Sequence, residues 1–245
     1  MTNHRQATAT VRRVSGVVTL ALLWLVQGST LAAQTRSAAV RLPRLEIGGG
    51  ISWSGVSDLG AADATMTANQ AGPPERSPFF KVVSQMAGAP GLNAWVGANL
   101  SQMVGIEGGF QYGRPDLRIG ITGDAEGVKD TALTSRLITQ SIVEANLLLY
   151  ANGLRFDDDR TVPFLIVGGG RLRQANADRT LIENGGIYQV GVGFKWVPGL
   201  TQSRHARGAG LRLDVRYVVR EGGFDFQENA RRSYVTAGAT ALLAF

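Results

Sequence analysis

The sequence predicts an all-β protein, built as an eight-stranded antiparallel up-and-down β-barrel. Three observations lead to this prediction. Apolar and polar residues alternate with period two in eight segments of roughly 10 to 14 residues each. Glycine provides 32 of the 245 residues, and much of it lies inside those segments, where it marks curvature or close backbone approach. No internal repeat suggests a propeller or a solenoid.

The first 33 residues have the features of a cleavable signal peptide. Arg5, Arg12 and Arg13 form a basic start, and an apolar run at 14–26 is followed by the small residues of "GSTLAAQT". Ala33 is the expected last residue before cleavage. The apolar run is too short for a membrane-spanning helix, although an N-terminal anchor helix is the alternative. The expected organisation is a signal peptide at 1–33, an N-terminal lead-in at 34–43 and a barrel domain at 44–245.

The eight alternating segments follow one another from the lead-in to residue 245. In chain order they are "RLEIGGGISWS", "GLNAWVGANLS", "MVGIEGGFQYG", "RLITQSIVEANLLLY", "TVPFLIVGGGRLR", "GIYQVGVGFKWVP", "GAGLRLDVRYVV" and "SYVTAGATALLAF". The fourth alternates imperfectly, because Ile142 and Leu148 fall on its polar side. The fifth begins with Pro163, which is tolerated at a strand start or edge.

The first two connections at one end of the predicted barrel are longer than the first two at the other end, whereas the later connections are nearly equal. The connections at 57–90 and 114–134, after the first and third strands, are the longest and are expected to be loops. The connection after the second strand has only a few residues. Short turns at one end and long loops at the other are typical of transmembrane barrels.

The segment "GAGLRLDVRYVV" raises the question of which face points inward. Leu211, Val215 and Tyr217 lie on its apolar face, whereas Arg212 and Asp214 lie on the opposite face. In a soluble lipocalin-like barrel the apolar face lines a ligand cavity. In a transmembrane barrel the apolar face contacts lipid and the charges point into the lumen. Alternation alone fits both arrangements.

The charges and the aromatic residues favour the transmembrane arrangement. Charges inside a narrow barrel must be paired, because an isolated buried charge costs several kcal/mol. The predicted lumen charge network consists of Glu46, Glu107, Glu144, Arg171, Arg173, Lys195, Arg212, Asp214 and Arg216. Aromatic residues near strand ends suit the two membrane interfaces. The predicted aromatic girdle consists of Trp53, Tyr112, Phe164, Tyr188 and Trp196.

The last segment carries a resemblance to a known family. In "VTAGATALLAF" apolar residues alternate up to Phe245, which resembles the C-terminal strand of bacterial outer-membrane barrels. Together with the signal peptide and eight strands, the chain resembles the small OmpA/OmpX-type outer-membrane β-barrels. The resemblance implies a location in the bacterial outer membrane and contact with its lipid and lipopolysaccharide. It also implies recognition of Phe245 by the barrel-assembly machinery.

The residues give little support to enzymatic chemistry, and no catalytic residue, cofactor or metal is expected. The chain has only two histidines and no cysteine: His4 lies in the signal peptide and His205 in a predicted periplasmic turn. The acidic run Asp157 to Asp159 is interpreted as a solvated turn. The glycines of "GGGR" and "GVGF" lack the strand–helix context of a phosphate-binding loop.

The expected function is a structural or surface-interaction role for an outer-membrane barrel. An eight-stranded barrel has a lumen that side chains fill, so a wide pore is not expected. Nucleic acid is not an expected partner, because no run of Lys and Arg interleaved with aromatic residues is present. The partner of the long loops is unknown, and "PPERSPFF" is a candidate contact. The alternatives are a secreted soluble barrel that binds an apolar ligand and an outer-membrane lipid-modifying enzyme.

Overall fold

A computed structural model describes residues 42–67, 76–122, 131–154, 160–197, 208–225 and 230–245. The predicted signal peptide and nearly all of the lead-in lie outside the described residues. Among the residues that are described, no helix has the length and hydropathy to span a membrane.

The described chain is almost entirely β-structure. A 3-10 turn covers Asn152–Leu154. The strands are β1 (Leu45–Ser54), β2 (Ser57–Thr67), β3 (Arg76–Met86), β4 (Ala89–Asn99), β5 (Val104–Gly113), β6 (Asp116–Thr122), β7 (Thr131–Tyr150), β8 (Thr161–Asn176), β9 (Ile182–Trp196), β10 (Gly208–Gly222) and β11 (Arg231–Ala244).

Eight of these strands form a closed antiparallel barrel. Their order around the barrel is β7-β5-β4-β1-β11-β10-β9-β8, and β8 pairs with β7 to close it. Each barrel strand pairs with the one that precedes or follows it in the barrel, and β1 pairs with β11. The predicted fold class, an eight-stranded up-and-down barrel, is confirmed.

The remaining strands form a sheet that we call the extension, which consists of β2, β3, β6 and residues 131–137 of β7. The expectation of loops at 57–90 and 114–134 is therefore wrong. β7 is 20 residues long, and only residues 138–150 pair with β8. Its first part continues beyond the barrel wall and offers a free edge, to which β6, β3 and β2 add in turn. A register shift near Gly60, which has a φ of 100°, bends β2.

The two ends of the barrel differ in their connections. At the end where β1 begins and β11 finishes, which we call the terminal end, the connections are residues 100–103, 151–160 and 197–207. The opposite end, the extension end, carries the extension and the connections at 177–181 and 223–230. The extension corresponds to the long outward-facing connections of transmembrane barrels, whereas the connections at 151–160 and 197–207 of the terminal end are longer than those at 177–181 and 223–230.

Buried apolar residues lie in the lumen and form separate layers. Ile142, Leu172, Ile187, Val218 and Tyr234 form one cluster. Leu148, Tyr150, Val162, Phe164 and Ile166 form another, and Trp95 packs with Leu242 and Ala244 in a third. The apolar residues that interrupt the alternation of β7 thus belong to lumen clusters.

Candidate functional site

Strand β10 settles which face of the barrel points inward. Arg212, Asp214 and Arg216 are buried, with exposed fractions of 0%, 5% and 4%. Val215 and Tyr217 on the opposite face are 50% and 43% exposed. The apolar face therefore points outward, as predicted, and the charged face points into the lumen.

The same polarity holds on all eight barrel strands. Large apolar side chains are exposed on the outer face of each of them: Ile51, Val96, Ile106, Val143, Val167, Val192, Val215 and Val235. Such a surface is stable against hydrocarbon and unfavourable in water. The chain has the fold of a small transmembrane β-barrel. The soluble alternative, which needs the apolar face around a cavity, does not fit this polarity.

Lys195 lies in the terminal half of the lumen, inside a cage of rings. Its Nζ forms an ion pair with Glu46 and donates a hydrogen bond to the Tyr150 hydroxyl at 2.9 Å. The same Nζ lies 5.2 Å from the centre of a Trp95 ring and 5.9 Å from that of Phe164. One carboxylate and several ring faces together compensate the lost hydration of this buried ammonium.

Asp214 bridges two arginines in the middle of the lumen. It accepts from Arg212 Nε at 3.1 Å and from Arg216 Nε at 2.5 Å. Arg212 also pairs with Glu107, and Arg216 Nη1 lies 2.5 Å from Glu144. This ladder of alternating charges runs across the lumen from β5 to β7 through β10. Each buried charge in it has at least one opposite partner.

Aromatic rings join the two charge groups. The Arg212 guanidinium carbon lies 4.8 Å from the centre of a Trp95 ring and 4.9 Å from that of Phe164. The two rings therefore contact both cations, which belong to directly paired residues of β10 and β9. Stacking of this kind suits a planar guanidinium in a site with little water.

Glycines on the lumen face make room for these rings. A Cβ atom on Gly48 would lie 2.5 Å from the Trp95 ring, and one on Gly193 would lie 2.6 Å from the Phe164 ring. The sequence signal was the excess of glycine within strands. Part of this excess is explained by the lack of space for side chains beside the lumen rings, in addition to the curvature of the strands.

Arg220 is a buried lumen cation that the sequence reasoning missed. Its guanidinium donates to Gln174 Oε1 at 3.2 Å and to the Phe224 carbonyl at 2.9 Å. It continues the series of alternate charges on β10, which is the signal that could have identified it. With Lys195, Arg212 and Arg216, it matches the four buried carboxylates of the lumen in number.

The structure brings seven of the nine predicted lumen charges together and leaves two outside. Arg171 and Arg173 are exposed on the outer face, whereas Leu172 and Gln174 point into the lumen. The prediction that these two arginines belong to the lumen network is wrong. The alternation of β8 places Phe164 and Ile166 inward, so odd-numbered residues of that strand point outward.

Four of the five predicted girdle residues lie on the outer face. Trp53, Tyr188 and Trp196 are exposed there, and Tyr112, which shares their outward orientation, accepts a hydrogen bond from Arg114 Nε at 3.0 Å. Phe164 does not belong to this group, because it is only 3% exposed and packs in the lumen. Its assignment to the girdle is wrong for the same reason as that of Arg171: the faces of β8 were exchanged.

Phe245 follows β11 and is exposed at the terminal end of the barrel. Its backbone N–H donates to the Leu45 carbonyl at 2.8 Å, and its carbonyl accepts from Arg44. Recognition of Phe245 by the assembly machinery stays a prediction.

The candidate reactive groups named from the sequence are not placed. His4, His205 and the run Asp157 to Asp159 lie outside the described residues. Within the described ranges, no group of three or more His, Cys, Asp or Glu residues is arranged to hold a metal ion.

The space left in the lumen is small near the extension end. Two cavities there, lined among others by Gln140, Arg220 and Ile142, each have a volume of about 10 Å³. That volume corresponds to about one water molecule. Buried side chains therefore leave little space in the described lumen around these residues.

Comparison with known proteins gives similar folds and no sequence family. No protein-family model and no curated protein sequence matches the chain. Among solved structures, Neisserial surface protein A shares 10% identity at a TM-score of 0.47, over 82% of this chain and 97% of that chain. The outer membrane protein OprG from Pseudomonas aeruginosa shares 13% at 0.45, over 83% and 94%. Ail, the attachment invasion locus protein of Yersinia pestis, shares 12% at 0.35, over 82% and 99%.

These likenesses assign neither a family nor an activity to the chain. The architecture itself rests on the closed ladder of eight strands and on the inverted polarity, which are properties of this chain. The predicted resemblance to small OmpA/OmpX-type barrels is confirmed at the level of the fold.

Proposed function

We propose that the protein is an integral β-barrel of a bacterial outer membrane, that its lumen is closed by its own side chains, and that it acts through its extension. The observation that carries this proposal is the inverted polarity of the barrel: charged residues are buried in the lumen and apolar residues cover the outer face. Transmembrane barrels of this size are proteins of the outer-membrane type.

A structural or surface-interaction role is supported by how the lumen is filled. Arg212 is fully buried between aromatic rings and two carboxylates, so a solute would have to break several charge pairs to pass. The extension, in contrast, projects from the barrel and presents exposed side chains, among them Asp63, Lys81 and Arg118. Binding residues concentrate on such projecting segments of rigid scaffolds.

The absence of enzymatic activity is part of the same proposal. It is supported by the sequence, which offers two histidines and no cysteine for nucleophilic or general-base catalysis. The test is to assay the reconstituted protein for phospholipase and protease activity. Turnover above the rate of empty vesicles, surviving in His205→Ala, would favour the lipid-modifying or another enzymatic alternative.

The location is tested by fractionating membranes and comparing gel mobility with and without boiling. We expect the protein in the outer-membrane fraction, with a compact unboiled form that shifts on heating. Recovery in the soluble periplasm would refute the proposal.

The orientation is tested with single cysteines, because the chain has none of its own. Asp63→Cys lies on the exposed side of β2 in the extension, and Met103→Cys lies in the exposed turn at the terminal end. A membrane-impermeant maleimide added to intact cells is expected to label the first and spare the second. The reverse pattern would place the extension in the periplasm and overturn a surface role.

A further inference from the structure

Arg171 and Arg173 form an exposed basic pair on the outer face of the barrel. They lie two residues apart on the outer face of β8, above the apolar side chain of Val167. Neither arginine forms an ion pair or a hydrogen bond with the part of the chain that the structure describes. Two uncompensated guanidinium groups on a lipid-facing wall need an anionic partner or water.

The position of the pair along β8 corresponds to the edge of the hydrocarbon. Trp196 pairs with Thr161 at the first residue of β8 and marks the interface at the terminal end. Arg171 follows ten residues later, which corresponds to a height of about 25 Å for a strand tilted by about 40°. The apolar band of such barrels is also about 25 Å tall. Arg171 and Arg173 are therefore expected at the level of lipid headgroups on the extension side.

The cross-strand neighbours of the pair on the outer face are uncharged. Arg173 lies opposite Ser141 of β7 and Asn184 of β9. Arg171 lies opposite Gly186, where an added Cβ would meet nothing within 4 Å. An open space bordered by two guanidinium groups, a hydroxyl and an amide suits an anion with several oxygen atoms.

An acidic residue on the same outer face already has a basic partner. Glu221 is the outward-facing acid of β10, one strand beyond Gly186, and it forms an ion pair with Arg231. Val143, opposite Arg171 on β7, and Val167, below Arg171 on β8, add apolar surface beside and below the basic pair. Positive charge above and apolar surface below match a molecule with a phosphate head and an acyl chain.

We propose that Arg171 and Arg173 bind a phosphate group of lipopolysaccharide in the outer leaflet. The planar guanidinium group donates two parallel hydrogen bonds to phosphate oxygens, which an ammonium group cannot reproduce. The inference rests on the proposed location and orientation of the barrel. It adds a defined lipid site on one side of the wall, at β7, β8 and β9.

The test measures the unfolding midpoint of the folded barrel in detergent by heat-dependent gel mobility, with and without purified lipopolysaccharide. Lipopolysaccharide is expected to raise the midpoint of the unaltered protein and of Arg118→Gln, an exposed arginine of the extension. The double variant Arg171→Gln/Arg173→Gln is expected to bind lipopolysaccharide at least roughly tenfold more weakly, because charge-assisted hydrogen bonds are lost. Its midpoint is therefore expected to rise less when lipopolysaccharide is added. An unchanged response of this variant would overturn the proposal.

Further arms identify the ligand. Lipopolysaccharide stripped of its phosphates, phosphatidylglycerol micelles and inorganic phosphate are expected to give little or no rise. An equal rise with any of them would overturn the assignment to lipopolysaccharide phosphate. Arg171→Lys/Arg173→Lys keeps the positive charges but lacks the two parallel donors of each guanidinium group. Its midpoint is expected to rise less with lipopolysaccharide than that of the unaltered protein. The mobility shift on heating without lipopolysaccharide shows whether the barrel is folded. Absence of this shift would therefore count against the proposed function and not against the lipid site.

Discussion

The replacement Asp214→Asn isolates the contribution of the lumen charge ladder. Asp214 is buried and accepts hydrogen bonds from Arg212 at 3.1 Å and from Arg216 at 2.5 Å. Asparagine has nearly the same size, so the change creates no cavity. Its NH₂ group, however, must face one of the two guanidinium groups, donor against donor, and the negative charge between them is lost.

The expected loss is about 3 to 5 kcal/mol, which is the usual cost of removing one partner from a buried charge pair. Glu107 and Glu144 still pair with the two arginines, so the lower part of that range is expected. A loss of about 3 kcal/mol changes the ratio of folded to unfolded protein by roughly a factor of 100. The assay is reversible urea unfolding in lipid vesicles, followed by tryptophan fluorescence.

The matched control is Glu221→Gln, which breaks the exposed pair with Arg231. The side chain of that arginine is 75% exposed, and exposed pairs contribute about 0 to 1 kcal/mol. If Asp214→Asn lowered the free energy of unfolding by no more than Glu221→Gln, the ladder would contribute no more than a surface pair. The reasoning about the lumen would then be refuted.

Two further predictions concern the two faces of the wall. Gly48→Ala places a Cβ 2.5 Å from the Trp95 ring and is expected to lower the free energy of unfolding by about 1 to 3 kcal/mol. The control is Gly49→Ala, whose Cβ would lie 3.5 Å from its closest neighbour, and it is expected to lower that free energy much less. Val192→Arg puts a charge on the outer face within the apolar band and is expected to cost about 2 to 4 kcal/mol. The same change at Val83 in the extension is expected to leave stability nearly unchanged, and equal losses at both positions would argue against a lipid-facing wall.

The barrel and its polarity were predictable because β-strands have a period of exactly two residues along most of the wall. In β10 the apolar residues Leu211, Leu213, Val215, Tyr217 and Val219 share one face, and the opposite face carries Arg212, Asp214 and Arg216 with Val218 as its one apolar residue. The lumen pairs of β10 followed from this contrast. The two-residue period was sufficient to assign the inward face of this strand, because one of its faces was clearly charged.

The same rule gave the wrong faces for β8, because the two faces of this strand do not differ clearly in polarity. In "TVPFLIVGGGRLR" apolar residues occupy both faces before the three glycines, since the neighbours Phe164 and Leu165 are both apolar. The glycines then carry no side chain to continue either series. In the sequence alone, the arginines consequently match the charged face of the other strands. The inward position of Phe164 is fixed by its contacts with Tyr150, Lys195 and Arg212, which only the closed barrel brings together.

The extension was not predictable from local pattern either. β2 contains three alanines, a glycine and two aspartates, which are poor strand formers. It becomes a strand because β7 continues past the barrel wall and supplies backbone partners to β6, and through it to β3 and β2. Pairing with a neighbour outweighs the propensity of the segment.

The lumen charges also fix the register of the wall. A one-residue slip of β10 against β9 and β11 would turn Arg212, Asp214 and Arg216 toward lipid, since successive side chains alternate between faces. Each arginine in the middle of the membrane would then cost about 2 to 4 kcal/mol, in addition to the lost ion pairs. A fully apolar lumen could be as stable in the correct register, because burying paired charges gains little over apolar packing. A fully apolar lumen would, however, remove the energetic penalty of the slipped register. The charge ladder therefore contributes more to specifying the register of the barrel than to its net stability.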